Sequence, residues 1–82
     1  MGFWPWRRRS TVARREAQDR LEQLILEASL AAKRTGDDAL AVDLWDASRK
    51  MRWVIPRETW RSLSTYSDAQ LHRIVELMIE RR

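Results

Sequence analysis

The chain has 82 residues, a net charge of +4 at pH 7 and no cysteine. A chain of this length has a thin core, because it buries only about 60–65% of the surface that its unfolded form exposes. The lack of cysteine excludes disulfides and thiolate metal ligands. No apolar run approaches the ~20 residues of a membrane-spanning helix, and the N-terminus lacks the apolar segment of a secretory signal. We therefore expect a cytoplasmic protein, peripheral to a membrane surface if its basic end binds lipid.

The positive charge is concentrated near the N-terminus. Residues 1–20 hold six arginines against Glu16 and Asp19, a surplus equal to the net charge of the whole chain, whereas residues 21–82 sum to zero. A nucleic-acid-binding domain usually spreads its positive charge over a whole face. Residues 21–82, whose charges sum to zero, therefore lack the net positive charge that is typical of such a domain.

The first predicted helix covers residues 11–34. Its apolar residues recur with the period of a helix that packs on a core, and they are Ala13, Ala17, Leu21, Leu24, Ile25, Ala28, Ala31 and Ala32. Gly36 ends the helix, since glycine tolerates the positive φ of a helix C-terminus. Val12, Leu26 and Leu30 project from the other side of the helix. They indicate a second buried face, against either another helix of the chain or another chain.

The second predicted helix covers residues 38–55, capped by Asp37 or Asp38 and ended before Pro56. Its apolar stripe consists of Leu40, Leu44, Ala47, Met51 and Ile55. Val42 and Trp53 lie on the side opposite this stripe. The sequence predicts that they face away from the core.

Aromatic and basic residues are interleaved in this second helix. Trp45, Arg49 and Trp53 are spaced four apart, which predicts a ladder with the guanidinium stacked between two indoles. We interpret Trp45 and Trp60 as structural and Trp53 as a residue that contacts a partner. Spacings of four also predict three surface ion pairs, which are Arg15–Asp19, Glu16–Arg20 and Asp46–Lys50.

The rest of the chain predicts a short helix over residues 57–63 and a last helix over residues 68–81. Ser67 and Gln70 have the spacing of a capping box, and the apolar stripe that follows consists of Leu71, Ile74, Val75 and Met78. No segment alternates with period two. The expected fold is all-α, a small bundle of three main helices and one short helix. An irregular Trp- and Arg-rich arm, residues 1–10, precedes this single helical domain, residues 11–82.

Residue types that carry catalysis are sparse. His72 is the one histidine, and the two glycines, Gly2 and Gly36, exclude glycine-rich nucleotide-binding loops. Two acidic pairs could in principle bind a divalent ion, but Asp37–Asp38 is better explained as a helix cap and Asp43/Asp46 as a solvated face. We predict no catalytic residues, no metal, no cofactor and no enzymatic activity.

The arm combines tryptophan with arginine, a mixture that suits membrane interfaces, nucleic acids and protein partners. Trp4-Pro5-Trp6-Arg7-Arg8 resembles the end of indolicidin-type host-defence peptides, which act on membranes and bind nucleic acid. This resemblance is compositional and implies no common fold. Three alternatives are open: the arm covers an apolar groove on its own domain, docks into a partner, or binds nucleic acid or an anionic membrane.

The surplus of apolar and aromatic residues predicts a non-catalytic interaction module, such as an adaptor, inhibitor or accessory subunit. It binds a protein partner or forms a homodimer. The predicted partner-binding anchors are Trp4, Trp6, Leu26, Leu30 and Trp53, and the predicted electrostatic residues are Arg7, Arg8, Arg9, Arg49, Arg52 and Arg57. The alternative is a module that binds nucleic acid or an anionic membrane through the arm.

Overall fold

A computed structural model describes the backbone of residues 5–81 and the side chains of residues 12–81. The helices are α1 (Pro5–Arg34), α2 (Asp38–Arg49), α3 (Met51–Val54), α4 (Arg57–Arg61) and α5 (Asp68–Glu80), with a 3-10 turn at Leu63–Thr65. Within residues 5–81 no strand is present, and the predicted all-α fold is confirmed. No helix in this range has the length and apolar composition needed to cross a membrane.

The first helix starts at Pro5, whereas we predicted a start at residue 11. Proline suits the first helical position, because its missing N–H has no partner there in any helix. Residues 1–4, and the side chains of residues 5–11, lie outside the described part of the protein. The roles predicted for the arm therefore stay predictions. Residues 12–16 are all exposed, so this end of α1 extends past the helices that pack on it.

A tight turn joins α1 to α2 and makes them antiparallel. Gly36 has a φ of +88°, the left-handed conformation predicted for the residue that ends α1. Asp37 caps α2, since its carboxylate Oδ1 accepts a hydrogen bond from the Leu40 N–H at 3.1 Å. Further along the pair, the buried Ser29 hydroxyl donates to the Ala41 carbonyl at 2.6 Å, which fixes the register of the two helices.

The single helix predicted over residues 38–55 is divided at Lys50 into α2 and α3. Lys50 has a φ of −123°, and its N–H donates to the Ala47 carbonyl at 3.0 Å, which closes the last turn of α2. No glycine or proline marks this position, so local residue types do not signal the break. After α3 the chain brings Ile55 into the core, where it is 4% exposed.

The core lies where α2, α5 and the 3-10 turn pack against one side of α1. Its buried apolar residues are Leu21, Leu24, Ile25, Ala32, Ala41, Leu44, Ile55, Leu63, Leu71 and Val75. Most of these belong to the predicted stripes. Ala13 and Ala31 belong to the predicted stripe of α1 but are exposed, so the prediction that they pack on the core is wrong.

The structure confirms the predicted capping box at the start of α5, but it gives Arg20 a different ion-pair partner from the predicted one. Ser67 and Gln70 form the capping box: the Gln70 N–H donates to Ser67 Oγ and the Ser67 N–H donates to Gln70 Oε1. Arg20 binds Asp68 on α5 instead of Glu16. No ion pair joins Arg15 to Asp19 or Glu16 to Arg20, although both pairs lie within the described residues, whereas the predicted Asp46–Lys50 pair is present at 3.2 Å.

Candidate functional site

Apolar side chains left outside the core define the candidate site. Leu30 is 59% exposed and Trp53 is 82% exposed, while Leu26 is half-buried. Leu26 and Leu30 lie one turn apart on α1, but Trp53 lies on the separate helix α3. Trp4 and the side chain of Trp6 fall outside the described residues. The structure thus brings together two of the predicted anchors.

The register of α1 and α2 identifies which residues lie beside Leu30. Ser29 on α1 faces Ala41 on α2, because the two share a hydrogen bond. In antiparallel helices, the residues that follow two facing residues turn to the same side of the pair, because helix rotation reverses with chain direction. Leu30 follows Ser29 and Val42 follows Ala41, so Leu30 and Val42 lie at one level on the same side.

The next turn of each helix adds another apolar pair on that side. Leu26 lies three residues before Ser29, and Trp45 lies four residues after Ala41. Each spacing is close to one helical turn, so both side chains point near the facing direction and are displaced towards the side that carries Leu30 and Val42. Val42 is 63% exposed and Trp45 is 50% exposed. We call the surface formed by Leu26, Leu30, Val42 and Trp45 the hairpin patch.

Arg49 stacks on the tryptophan of this patch. Its guanidinium carbon lies 4.9 Å from the Trp45 ring centroid, so one half of the predicted cation–π ladder is present. The other half is missing among the described residues, because the break at Lys50 removes Trp53 from helical register with Arg49. The predicted electrostatic residues Arg49, Arg52 and Arg57 are all exposed, on α2, α3 and α4 respectively.

Charged residues border the hairpin patch in an alternating arrangement. At the end near the α1–α2 turn, Lys33 lies on α1 and Asp38 lies on α2. At the other end, Glu22 lies on α1 and Arg49 lies on α2. Lys33, Asp38 and Arg49 are exposed and Glu22 is half-buried. Diagonally opposite corners of the patch therefore carry charge of the same sign.

A groove lies on the other side of α2 from the patch. Both α2 and α5 pack on α1 but make little contact with each other, which leaves an open space of about 620 Å³. Its lining is mainly apolar and includes Leu44, Ala47, Val54, Ile55, Ile74, Leu77 and Met78. Three charged residues, Asp43, Asp46 and Arg81, also line it.

The group of titratable side chains that most resembles a catalytic site lies at the start of α5. His72 Nε2 lies 3.5 Å from Asp68 Oδ2, and Arg20 binds the same carboxylate. The hydrogen bond from Arg20 is the main reason that the pKa of Asp68 is lowered. Both Asp68 and His72 are exposed. Within the described residues, no three histidine, aspartate or glutamate side chains cluster closely enough to hold a metal ion.

Models of known protein families give no match to the chain, and neither curated proteins nor solved structures match it. The surfaces described above are therefore the basis for a function. Among them, the hairpin patch combines two anchors predicted from sequence with two residues that were not predicted as anchors.

Trp45 and Val42 were missed as anchors for different reasons. Trp45 borders the buried stripe of α2, so we interpreted it as structural, yet half of its surface is exposed. Val42 was placed on the outer side of α2, but α2 taken alone does not show that Leu30 lies beside it. The i, i+3 spacing of Val42 and Trp45 was the available signal. The groove gave no signal, because it depends on how far α2 and α5 diverge.

Proposed function

We propose that this protein is a small non-catalytic interaction module, which binds a protein partner or a second copy of itself through the hairpin patch. The observation that supports the proposal is the side-by-side position of Leu26, Leu30, Val42 and Trp45 outside the core. Exposed apolar residues scattered singly need no explanation, but a cluster across two helices is typical of a protein–protein interface. Tryptophan and arginine are also among the residue types most enriched at the energetic centre of interfaces.

The free energy of association indicates what kind of surface the partner has. Fully burying one of these side chains contributes roughly 1.5–3 kcal/mol. Association itself costs ~4–15 kcal/mol in lost translation and rotation. Because the four side chains are on average about half exposed, they contribute only about 3–6 kcal/mol, near or below the low end of that cost. We therefore propose that the partner surface is also apolar where it meets the hairpin patch.

Two valines provide a matched pair of variants to test this function. Val42 lies in the patch and Val54 lines the groove, and they are 63% and 46% exposed, so neither substitution disturbs the buried core. We expect tagged full-length protein, cross-linked in its native host, to recover a specific protein or its own untagged copy. Val42→Glu is expected to abolish that recovery, whereas Val54→Glu retains it. Recovery that is unchanged by Val42→Glu would overturn the proposal.

The alternative function is binding to nucleic acid or to an anionic membrane through the arm. It is supported by the arginines of residues 1–20, of which Arg14 and Arg15 are exposed on α1. Binding of this kind weakens steeply as salt is raised, because counterions are released from the partner. The test is binding to short DNA, short RNA and anionic vesicles at two salt concentrations, with and without residues 1–9. Absence of binding to all three excludes this function.

A further inference from the structure

We infer that the partner of the hairpin patch is a second copy of this chain, placed face to face by a two-fold axis. The inference rests on the proposed function, because it names the occupant of the same surface. Two-fold homodimers are the commonest oligomers of soluble proteins, and in them one patch must complement itself. The hairpin patch has this property in both its charges and its apolar residues.

The charges at the four corners are self-complementary. Lys33 and Glu22 border the patch on α1, and Asp38 and Arg49 border it on α2, so that each sign occupies one diagonal. The proposed two-fold axis lies in the plane of the patch and runs perpendicular to both helices. Rotation about this axis places each helix against the same helix of the second copy, in antiparallel orientation. Each positive corner then lies over a negative corner. Complementary charges of this kind favour one orientation of a complex over others.

The sequence positions on α2 agree with such an axis. If the axis crosses α2 midway between Val42 and Trp45, Val42 lies against the partner's Trp45. Asp38 is four residues before Val42 and Arg49 is four residues after Trp45. The same axis therefore places Asp38 opposite the partner's Arg49, twice in the dimer.

The positions on α1 agree with the same axis. The hydrogen bond from Ser29 to Ala41 sets the level of α1 relative to α2. At that level the axis crosses α1 between Leu26 and Leu30, so these leucines lie against each other across the interface. Glu22 then lies opposite the partner's Lys33. One axis thus pairs apolar with apolar residues at the centre and opposite charges at all four corners.

The second copy also meets the energetic requirement on the partner surface. It supplies another four apolar side chains, and the partner's Trp45 gives the interface two central aromatic anchors. Together with its charged corners, the patch spans 12 residues of each helix, or about three turns, so its area is near the lower limit for a specific complex. We therefore expect a dissociation constant on the order of micromolar.

The first test measures the mass of the full-length protein in solution by sedimentation equilibrium, from ~10 μM to ~1 mM. The wild-type protein is expected to dimerise in this range, and Val54→Glu is expected to dimerise equally. Val42→Glu is expected to be monomeric, because two carboxylates would be buried against the partner's apolar patch. Circular dichroism controls for folding of both variants. A wild-type protein that stays monomeric throughout would overturn the inference.

The second test addresses the orientation of the dimer by exchanging charges. Arg49→Glu and Asp38→Lys each place like charges together twice, and each is expected to weaken dimerisation about tenfold. The double variant Asp38→Lys, Arg49→Glu restores the opposite charges and is expected to regain most of the lost affinity. A double variant weaker than either single variant would overturn the proposed axis.

The outcomes separate the inference from the proposed function. A dimer lost in Val42→Glu supports both. A monomeric wild-type protein whose captured partner is lost in Val42→Glu overturns the dimer but supports the interaction module. A dimer lost in Val54→Glu and retained in Val42→Glu overturns the inference, because it assigns the interface to the groove.

Discussion

Arg20 on α1 donates two hydrogen bonds to the carboxylate of Asp68, the first residue of α5, from Nε at 2.7 Å and from Nη2 at 3.0 Å. The pair joins the middle of the longest helix to the start of the last one. These hydrogen bonds are the largest cause of the lowered pKa of Asp68 and of the raised pKa of Arg20. Because both side chains are partly exposed to solvent, the pair positions the start of α5 beside α1 and adds little to total stability.

The lowered pKa of Asp68 predicts a specific loss of stability in acid. The folded protein holds the ionised carboxylate more tightly than the unfolded chain does, so the pair stabilises the fold above the ordinary pKa of 3.8. That contribution is lost as the pH falls through the lower pKa of the folded protein. We expect Asp68→Asn to flatten this acid limb in thermal unfolding measured from neutral pH to about pH 2.

The matched control for this prediction is Glu58→Gln. Glu58 also lies in the first turn of a helix, α4, so its substitution removes the same kind of favourable interaction with the helix dipole. It forms no ion pair with a described residue, and we expect the acid limb of the wild-type protein to persist in this variant. Equal flattening in both variants would show that the dipole, and not Arg20, causes the dependence on pH.

Three of the helix ends could be predicted because their causes are local. Gly36 ends α1, Asp37 caps α2, and Ser67 with Gln70 caps α5, each through contacts within a few residues. The break at Lys50 and the burial of Leu63 have no local cause. Both depend on how the chain after α2 returns Ile55 and the 3-10 turn to the core, which no helical periodicity encodes.

The candidate site was predictable only in part for the same reason. Leu26 and Leu30 are recognisable as outward residues from the pattern of α1 alone. Their position beside Val42 and Trp45 depends on the register of two helices, which is set by the Ser29 hydrogen bond. Ser29 is only 7% exposed. Its residue type did not predict this burial, because serine lies mostly on protein surfaces.

Leu63 is predicted to be the most sensitive core position outside α1. Its side chain is 0% exposed, although it lies in a single 3-10 turn. We expect Leu63→Ala to lower the free energy of unfolding by about 2–5 kcal/mol, because the short turn packs against a long helix that cannot move to fill the cavity. Leu77→Ala, at a half-buried position beside the groove, is expected to cost less. Urea unfolding of both variants tests this, and equal costs would contradict it.

The Ser29 hydroxyl is predicted to contribute to stability through its bond between helices. We expect Ser29→Ala to lower the free energy of unfolding by about 0.5 kcal/mol, because a gain of about 0.5 kcal/mol in helix propensity offsets part of the ~1 kcal/mol lost with a buried hydrogen bond. Ser48 is the matched control, since it is similarly buried and donates to the Trp45 carbonyl at 2.6 Å within its own helix. Both substitutions gain helix propensity of about 0.5 kcal/mol, but Ser48→Ala loses only a bond within its own helix, and such bonds add little to stability. Urea unfolding that shows Ser48→Ala as the costlier change would contradict this explanation.

Gly36 offers a test in which backbone strain is separated from steric contact. Its φ is +88°, and a Cβ added there meets no atom within 4 Å, so a substitution changes conformational preference and not packing. We expect Gly36→Ala to cost about 1–2 kcal/mol, since a left-handed conformation is unfavourable for an L-residue. Gly36→Asn is expected to cost less, because asparagine tolerates this region better. A chemically synthesised chain with D-alanine at this position is expected to be more stable than the wild-type protein by about 0.5–1 kcal/mol, because its unfolded state loses conformational freedom while its folded state is unstrained. Thermal and urea unfolding of the three variants measure the series, and a D-alanine variant as unstable as Gly36→Ala would show that the turn cannot accommodate a side chain at all.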